Sequence, residues 1–338
     1  VGGSPRASKA ARGQLSDRIA IGMLIAAFPP REVDAAIDAV GVREQRSRAL
    51  PARTMVYFAL AMWLFGGAGY NSVLTKLTTG MGWTGMAKGK HAAPGTGSIT
   101  KARRRLGPEV MRTLFQLHAA ARRDLPYRWR GLTVRSLDGG TVDVPDTAAN
   151  LLAFNAAEVR MLVLASQRDG ALVDVAMGAA DDDLHSRLLS TVPAETLVVA
   201  SPAAPSVELL RSVGKRGAYL LWRQSAAIEL PCLRVLPDNS YVSRLLPDGD
   251  PTSRSVEIRV VAAGRDHLVT TLLDPGRAPA AELVSLHRGR WRFEAVFDAL
   301  ETGPVALRSQ DPRGVAQELW AMFCVYQAIQ GLRSDRDR

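Results

Sequence analysis

Two carboxylates, Asp138 and Glu294, stand where phosphoryl-transfer chemistry would need them. Asp138 closes the strand-like segment LTVRSLD and is followed by two glycines. Glu294 lies in an amphipathic segment with His287 seven residues before it, Arg290 four before it and Glu301 seven after it. On a single helix those four positions share one face. Two divalent ions about 4 Å apart need several carboxylates as bridging and terminal ligands, and Asp138 and Glu294 supply two. Read alone, Arg290 and Glu294 are equally an i,i+4 surface pair. Asp181, Asp182 and Asp183 follow a strand of the wrong polarity, where helix capping is their expected role. Asp143 and Asp146 are expected to serve a turn.

A second group of residues suits contact with phosphate. Lys101, Arg103, Arg104 and Arg105 lie in the run KARRR, and Lys88 and Lys90 in the Gly-rich stretch 80–97 with Trp83 and His91 beside them. The bland alternative for KARRR is a solvated helix face. The charge distribution argues further. Up to Arg130 there are 21 Lys and Arg against 7 Asp and Glu, a balance of +14, and the remainder carries −4. A cationic module joined to a mildly acidic one points to a polyanion, here a nucleic acid, as partner of the first part. Arginine dominates, which suits bidentate phosphate contacts, although GC-rich coding gives the same bias.

The chain has 338 residues, 47% of them apolar. It holds no uninterrupted apolar run of 18 residues, so no spanning helix is expected. Cys232 and Cys324 are distant from each other, and the five histidines form no HxxxH pair, which leaves no zinc spacing and no disulfide framework. A cytosolic, non-secreted protein without a zinc site is the expectation.

These residues have to be positioned by two kinds of structure. Residues 1–14 read as a disordered tail and 15–130 as a helical, basic DNA-binding domain. Its helices start at Ser16, break at Pro29-Pro30, close at Gly41, and run nearly apolar all round from Ala52 to Phe65. At Leu132 the periodicity changes. LTVRSLDG, RMLVLASQ and LVDVAMGAA read as strands, followed by a helix, the strand TLVVAS, a helix capped by Ser206, and the strand AYLLWRQ. The order β-β-β-α-β-α-β is that of an RNase H-like core, an α/β fold. The fourth strand should lie beside the first, so its last residue, Ser201, should face Asp138. Residues 131–224 and 276–338 form this domain, interrupted by a β-rich insertion at 225–275. A long helix is expected from Pro279 to about Glu301 and a last one from about Arg313 to Leu332.

LDGGTVDVPDTAANLLAF resembles the first-Asp motif of DDE transposases of the insertion element 4 family. LSDRIAIGMLIAAFPPREVDAAI, QRSRALPARTMVYFALAMWLFGGAGY and SITKARRRLGPEVMRTLF resemble that family's N-terminal domain, and GAYLLWRQSAAIELPCLRVLPDNSYVSRL its region after the second Asp. The resemblance implies a bacterial, cytoplasmic and nucleoid-associated protein for Mg²⁺-dependent cut-and-paste transposition of double-stranded DNA, with Asp138 and Glu294 as metal ligands and Arg290 orienting a phosphate. The family's closing motif is Tyr, two residues, Arg, three residues, Glu, six residues, Lys. His287, Arg290, Glu294 and Glu301 occupy those positions, so Tyr has become His and Lys has become Glu. The decisive departure is Ser201, which stands where the family has its second catalytic Asp. A neutral hydroxyl does not replace a carboxylate that balances two divalent charges. The chain is also short between Phe154 and Arg160, and it ends at Arg338 where the resemblance implies a further helical tail.

Three functions stay open on the sequence. The first is a transposase-derived DNA-binding protein without strand transfer. The second is an active DNA transposase. The third is a self-assembling scaffold, a homodimer or larger, that reuses the fold.

Overall fold

ARTMVYFALAMWL has no polar stripe, and in the computed structural model it forms a helix buried on every side: Met55, Val56, Tyr57, Phe58, Leu60 and Ala61 are all fully buried. The structure describes residues 5–46, 48–83, 94–123, 126–200, 205–225, 230–246, 255–300 and 307–336. The helices are α1 (Pro5–Ala27), α2 (Pro30–Val40), α3 (Ala52–Leu64), α4 (Tyr70–Trp83), α5 (Thr96–Leu106), α6 (Glu109–Arg123), α7 (Ala148–Phe154), α8 (Leu184–Leu189), α9 (Val207–Lys215), α10 (Ala280–Arg288), α11 (Glu294–Leu300) and α12 (Pro312–Arg336). The strands are β1 (Arg128–Trp129), β2 (Leu132–Asp143), β3 (Glu158–Ser166), β4 (Leu172–Gly178), β5 (Thr196–Ala200), β6 (Tyr219–Ser225), β7 (Arg234–Val235), β8 (Tyr241–Leu245), β9 (Val256–Ala263) and β10 (Asp266–Thr270). None of the described helices is long and apolar enough to cross a membrane.

The chain divides into two units. The helical unit holds the chain up to His118, with Asp143–Ala153 and Val296 onward. Its centre is α3, against which α1, α2, α4, α5 and α12 pack. Each fully buried Leu, Met or Phe there stabilises the unit by about 1.5–3 kcal/mol. Polar tips on α3 find partners: Tyr57 Oη donates to Phe28 O at 2.6 Å, and Trp63 Nε1 donates to Glu318 O at 2.8 Å. The sequence expectation placed 276–338 with the strands. In the structure α12 instead buries Leu319, Met322 and Phe323 among the N-terminal helices. The described part of α1 starts at Pro5 rather than at Ser16, in keeping with the helix-forming Ala, Lys and Arg of the expected tail.

The sheet unit holds Ala119–Val142 and Phe154–Ala295. Its strands run in the order β4-β3-β2-β5-β6-β10-β9-β8-β7, with β1 paired to β2. β2, β5 and β6 are mutually parallel neighbours, and β3–β4 is an antiparallel hairpin whose turn places Gly170 at φ 65°. The expected insertion is no separate body: β10 pairs antiparallel with β6, so β7–β10 extend the same sheet. One face of the sheet is covered by α8 and α9, capped by Asp183 and Ser206 as the sequence predicts. The other face is covered by α10, through Leu283 and Leu286 against Leu132, Val134 and Leu221.

Candidate active site

Side chains alternate along a strand, so Leu132, Val134, Ser136 and Asp138 point to the face that α10 covers. The first two are apolar and meet Leu283 and Leu286. The last two are polar and meet backbone. Ser136, fully buried, accepts from Trp291 N at 3.0 Å and donates to Gln167 Oε1, while Gln167 Nε2 donates to Leu286 O at 2.8 Å. Asp138, 7% exposed, accepts from Phe293 N through Oδ2 and from Gly139 N through Oδ1, both at 3.0 Å. The end of β2 therefore clamps the backbone of residues 286–293.

This clamp accounts for a correction. The predicted helix from Pro279 to Glu301 is two helices, α10 and α11, parted at Gly289–Phe293. The intervening backbone donors turn toward Ser136 and Asp138 instead of continuing the helical ladder. His287, Arg290 and Glu294 consequently do not share one helical face.

Arg290 and Glu294 still lie near enough to Asp138 to act on its charge. Burial raises the Asp138 pKa first, and the nearby Glu294 raises it further. The two backbone donors and Arg290 act against this. The Arg290 pKa is lowered by burial before all else, with Asp138 opposing. His287, on α10, is pushed down to about 4, by burial first and then by Arg290 and Arg223. It is neutral near pH 7, and its buried Nε2 has no hydrogen-bond partner.

Two glycines make the geometry possible. A Cβ on Gly139 would fall 2.2 Å from Met161 O, and one on Gly140 would fall 2.9 Å from the Phe293 ring. Ser136, Gln167 and these glycines were not singled out from the sequence. The i,i+2 spacing of Ser136 and Asp138 was the available signal, but it gains meaning only once α10 is known to cover that face.

β5 pairs with β2 in parallel up to Leu137–Ala200, one residue short of Asp138. Ser201 lies outside the described residues, as do Glu301, Lys88 and Lys90.

The basic run on α5 divides sharply. Lys101 is exposed. Arg104 is exposed and pairs with Asp311 at 3.3 Å. Arg105 donates to Leu50 O at 2.7 Å and lies 3.6 Å from Glu44. Arg103 is not a phosphate contact: it is 6% exposed and held by Glu318 at 3.1 Å, Gln317 Oε1 at 2.9 Å, Ser309 and Tyr70. Its helix position explains this, since Ile99 and Leu106, four before and three after, lie on the same buried face.

A model of the insertion element 4 transposase N-terminal family matches residues 18–116. Over 318 residues the chain is 25% identical to the transposase InsG for insertion sequence element IS4 of Escherichia coli (strain K12), covering 84% of this chain and 70% of that protein. Over these stretches the chain is similar to the insertion element 4 transposases. The segment matched by the family model runs from α1 into α6 and includes the basic run on α5.

The resemblance implies a divalent metal, and the donor chemistry of this member tests that. Each oxygen of Asp138 already accepts a backbone N–H. Among the described residues no three His, Cys, Asp or Glu side chains gather to hold an ion. Asp138 and Glu294 alone do not make the carboxylate set of a two-metal centre.

Proposed function

We propose that this protein is a DNA-binding derivative of a cut-and-paste DDE transposase that has lost strand transfer. The strand order β4-β3-β2-β5-β6, with β2, β5 and β6 parallel and β3–β4 antiparallel, supports an RNase H-like core in the sheet unit. The observation that carries the reading joins sequence to register. β5 runs parallel to β2 as far as Ala200, beside Leu137, and the next residue of the chain is serine rather than aspartate. Of the three acidic positions of the ancestral site, Asp138 and Glu294 remain. Glu301 in place of lysine adds a charge that repels phosphate. Loss of a metal-bound carboxylate removes transition-state stabilisation at tenfold in rate per 1.36 kcal/mol.

DNA binding is assigned to the helical unit. Its exposed Lys101 and Arg104, with Lys88 and Lys90 in the same basic stretch, supply the phosphate contacts, and Arg105 lies beside them. Binding of this kind is electrostatic and largely independent of sequence.

The test is nicking of supercoiled plasmid with Mg²⁺ or Mn²⁺. The native protein should leave the plasmid intact, and Ser201→Asp, which restores the third carboxylate, should gain metal-dependent nicking. Native cleavage that disappears in Asp138→Asn would make the protein a working transposase. A large self-assembled mass without duplex affinity would select the scaffold reading.

A further inference from the structure

A cavity of about 480 Å³ opens in the helical unit where α5 meets the start of α12. Its lining carries four guanidinium groups, from Arg103, Arg104, Arg308 and Arg313, against the single carboxylate of Asp311. Arg103 is the buried member, and Glu318 balances its charge at 3.1 Å. Arg308 donates to Ala68 O at 2.6 Å and lies 5.9 Å from the centroid of the Tyr70 ring. Arg104 and Arg313 are the accessible members, with side chains 64% and 66% exposed. Each rests on one carboxylate, Arg104 on Asp311 at 3.3 Å and Arg313 on Glu109 at 2.9 Å. Such exposed pairs hold together by about 1 kcal/mol or less, so an anion offering bidentate acceptors competes with them.

Two further features point the same way. The 25-residue helix α12 begins here, and its positive end adds to the arginine field. Two glycines keep the space open. A Cβ on Gly314 would fall 2.6 Å from Ser309 Oγ, and one on Gly107, at φ +72°, would fall 3.0 Å from Arg313 Nη2 and 2.5 Å from Glu109 Oε2. Side chains at these positions would meet the wall and the Arg313–Glu109 pair. A cavity with arginines at both depth and rim suits a tetrahedral oxyanion with several acceptors, which guanidinium forks bind in bidentate fashion.

We propose that this cavity is a phosphate-binding site, taking either a backbone phosphate of duplex DNA or the phosphate of a small free ligand. The duplex source rests on the DNA-binding reading above; the free source does not. Arg104 and Arg313 are the groups that grip the ligand, and Arg103 holds the wall in place.

The experiment measures binding of a 20-base-pair duplex and of inorganic pyrophosphate by the full chain. It compares the native protein with Arg104→Glu/Arg313→Glu, with the milder Arg104→Gln/Arg313→Gln, and with Arg31→Glu. Arg31, 85% exposed in the same unit, reports the effect of charge loss elsewhere. Melting temperatures establish that each variant folds, and the glutamine pair serves if the glutamate pair does not. The expected result is a loss of at least tenfold in affinity in the double variants and less than threefold in Arg31→Glu. Loss on the duplex, with no pyrophosphate binding by the native protein, assigns the site to DNA. Loss on pyrophosphate, with no native duplex binding, supports the cavity while overturning the DNA-binding reading. Double variants that bind like the native protein overturn the cavity and leave that reading standing. A native protein that binds neither probe overturns both.

Discussion

The backbone N–H of Phe293 donates to Oδ2 of Asp138 at 3.0 Å, joining residues 155 positions apart in the chain. Gly139 N donates to the other oxygen. The Asp138 carboxylate is thereby a structural clamp between the end of β2 and the backbone at Phe293. Asp138→Ala leaves both donors unsatisfied in a buried setting, and each such group costs about 1–3 kcal/mol. Asp138→Asn keeps one acceptor and should cost less than the alanine variant. Urea denaturation followed by tryptophan fluorescence compares the two. Equal stability of Asp138→Ala and the native chain would remove the clamp.

Arg103 and Arg104 are neighbours in sequence with opposite fates. Arg103→Ala strands Glu318, 3% exposed, which also accepts from Arg308 N and Ser309 Oγ. Breaking a buried pair by removing one partner costs about 3–5 kcal/mol, so this variant should melt far below the native protein. Arg104→Ala loses an exposed pair and should melt within a few degrees of it. A thermal scan of both checks the contrast, and similar melting of the two variants would contradict it.

His287 makes stability depend on pH. Its folded pKa, about 4, lies below the ordinary histidine value near 6.5. The unfolded chain therefore binds the proton first. The contribution of His287 is fully present above about pH 6.5 and is lost as pH falls toward 4. Asp138, shifted upward, acts in the opposite sense over the carboxylate range. The His287 part is isolated by comparison with His287→Gln, which should lose less stability than the native chain between pH 7 and pH 4.5. Parallel pH profiles for the two proteins would refute the assignment.

Duplex affinity should fall steeply with salt, since each phosphate neutralised contributes a slope of about −0.9 in log K against log salt. Lys101→Ala should lower the slope by about one and weaken binding alike on unrelated sequences. Titrations at several salt concentrations on two duplexes measure both. A flat salt response would remove phosphate contact from the helical unit.

What the sequence made legible was local. Asp183 and Ser206 cap helices where their side chains predict it, and TLVVA is buried because it carries no charge and only Thr196 is polar. Partners distant in the chain were less legible. α12 is apolar around much of its surface, so its composition does not say which layer it joins. β10 pairs with β6 across a long connection, and no local signal marks β7–β10 as an extension of the sheet. The break after Gly289 was hidden because apolar Leu286, Phe293 and Val296 keep a helical rhythm across it. It becomes visible only when Ser136 and Asp138 are seen to take the backbone donors of Trp291 and Phe293. Arg103 could have been separated from Arg104 and Arg105, since it alone shares a face with Ile99 and Leu106.

The central claim is that the ancestral site keeps Asp138 and Glu294 but not the chemistry. Plasmid nicking by the native protein beside Asp138→Asn, with Mg²⁺ and with Mn²⁺, tests it most directly. The two proteins should be indistinguishable, with no nicking above the metal-only control. Nicking by the native protein that requires metal and vanishes in Asp138→Asn would contradict it.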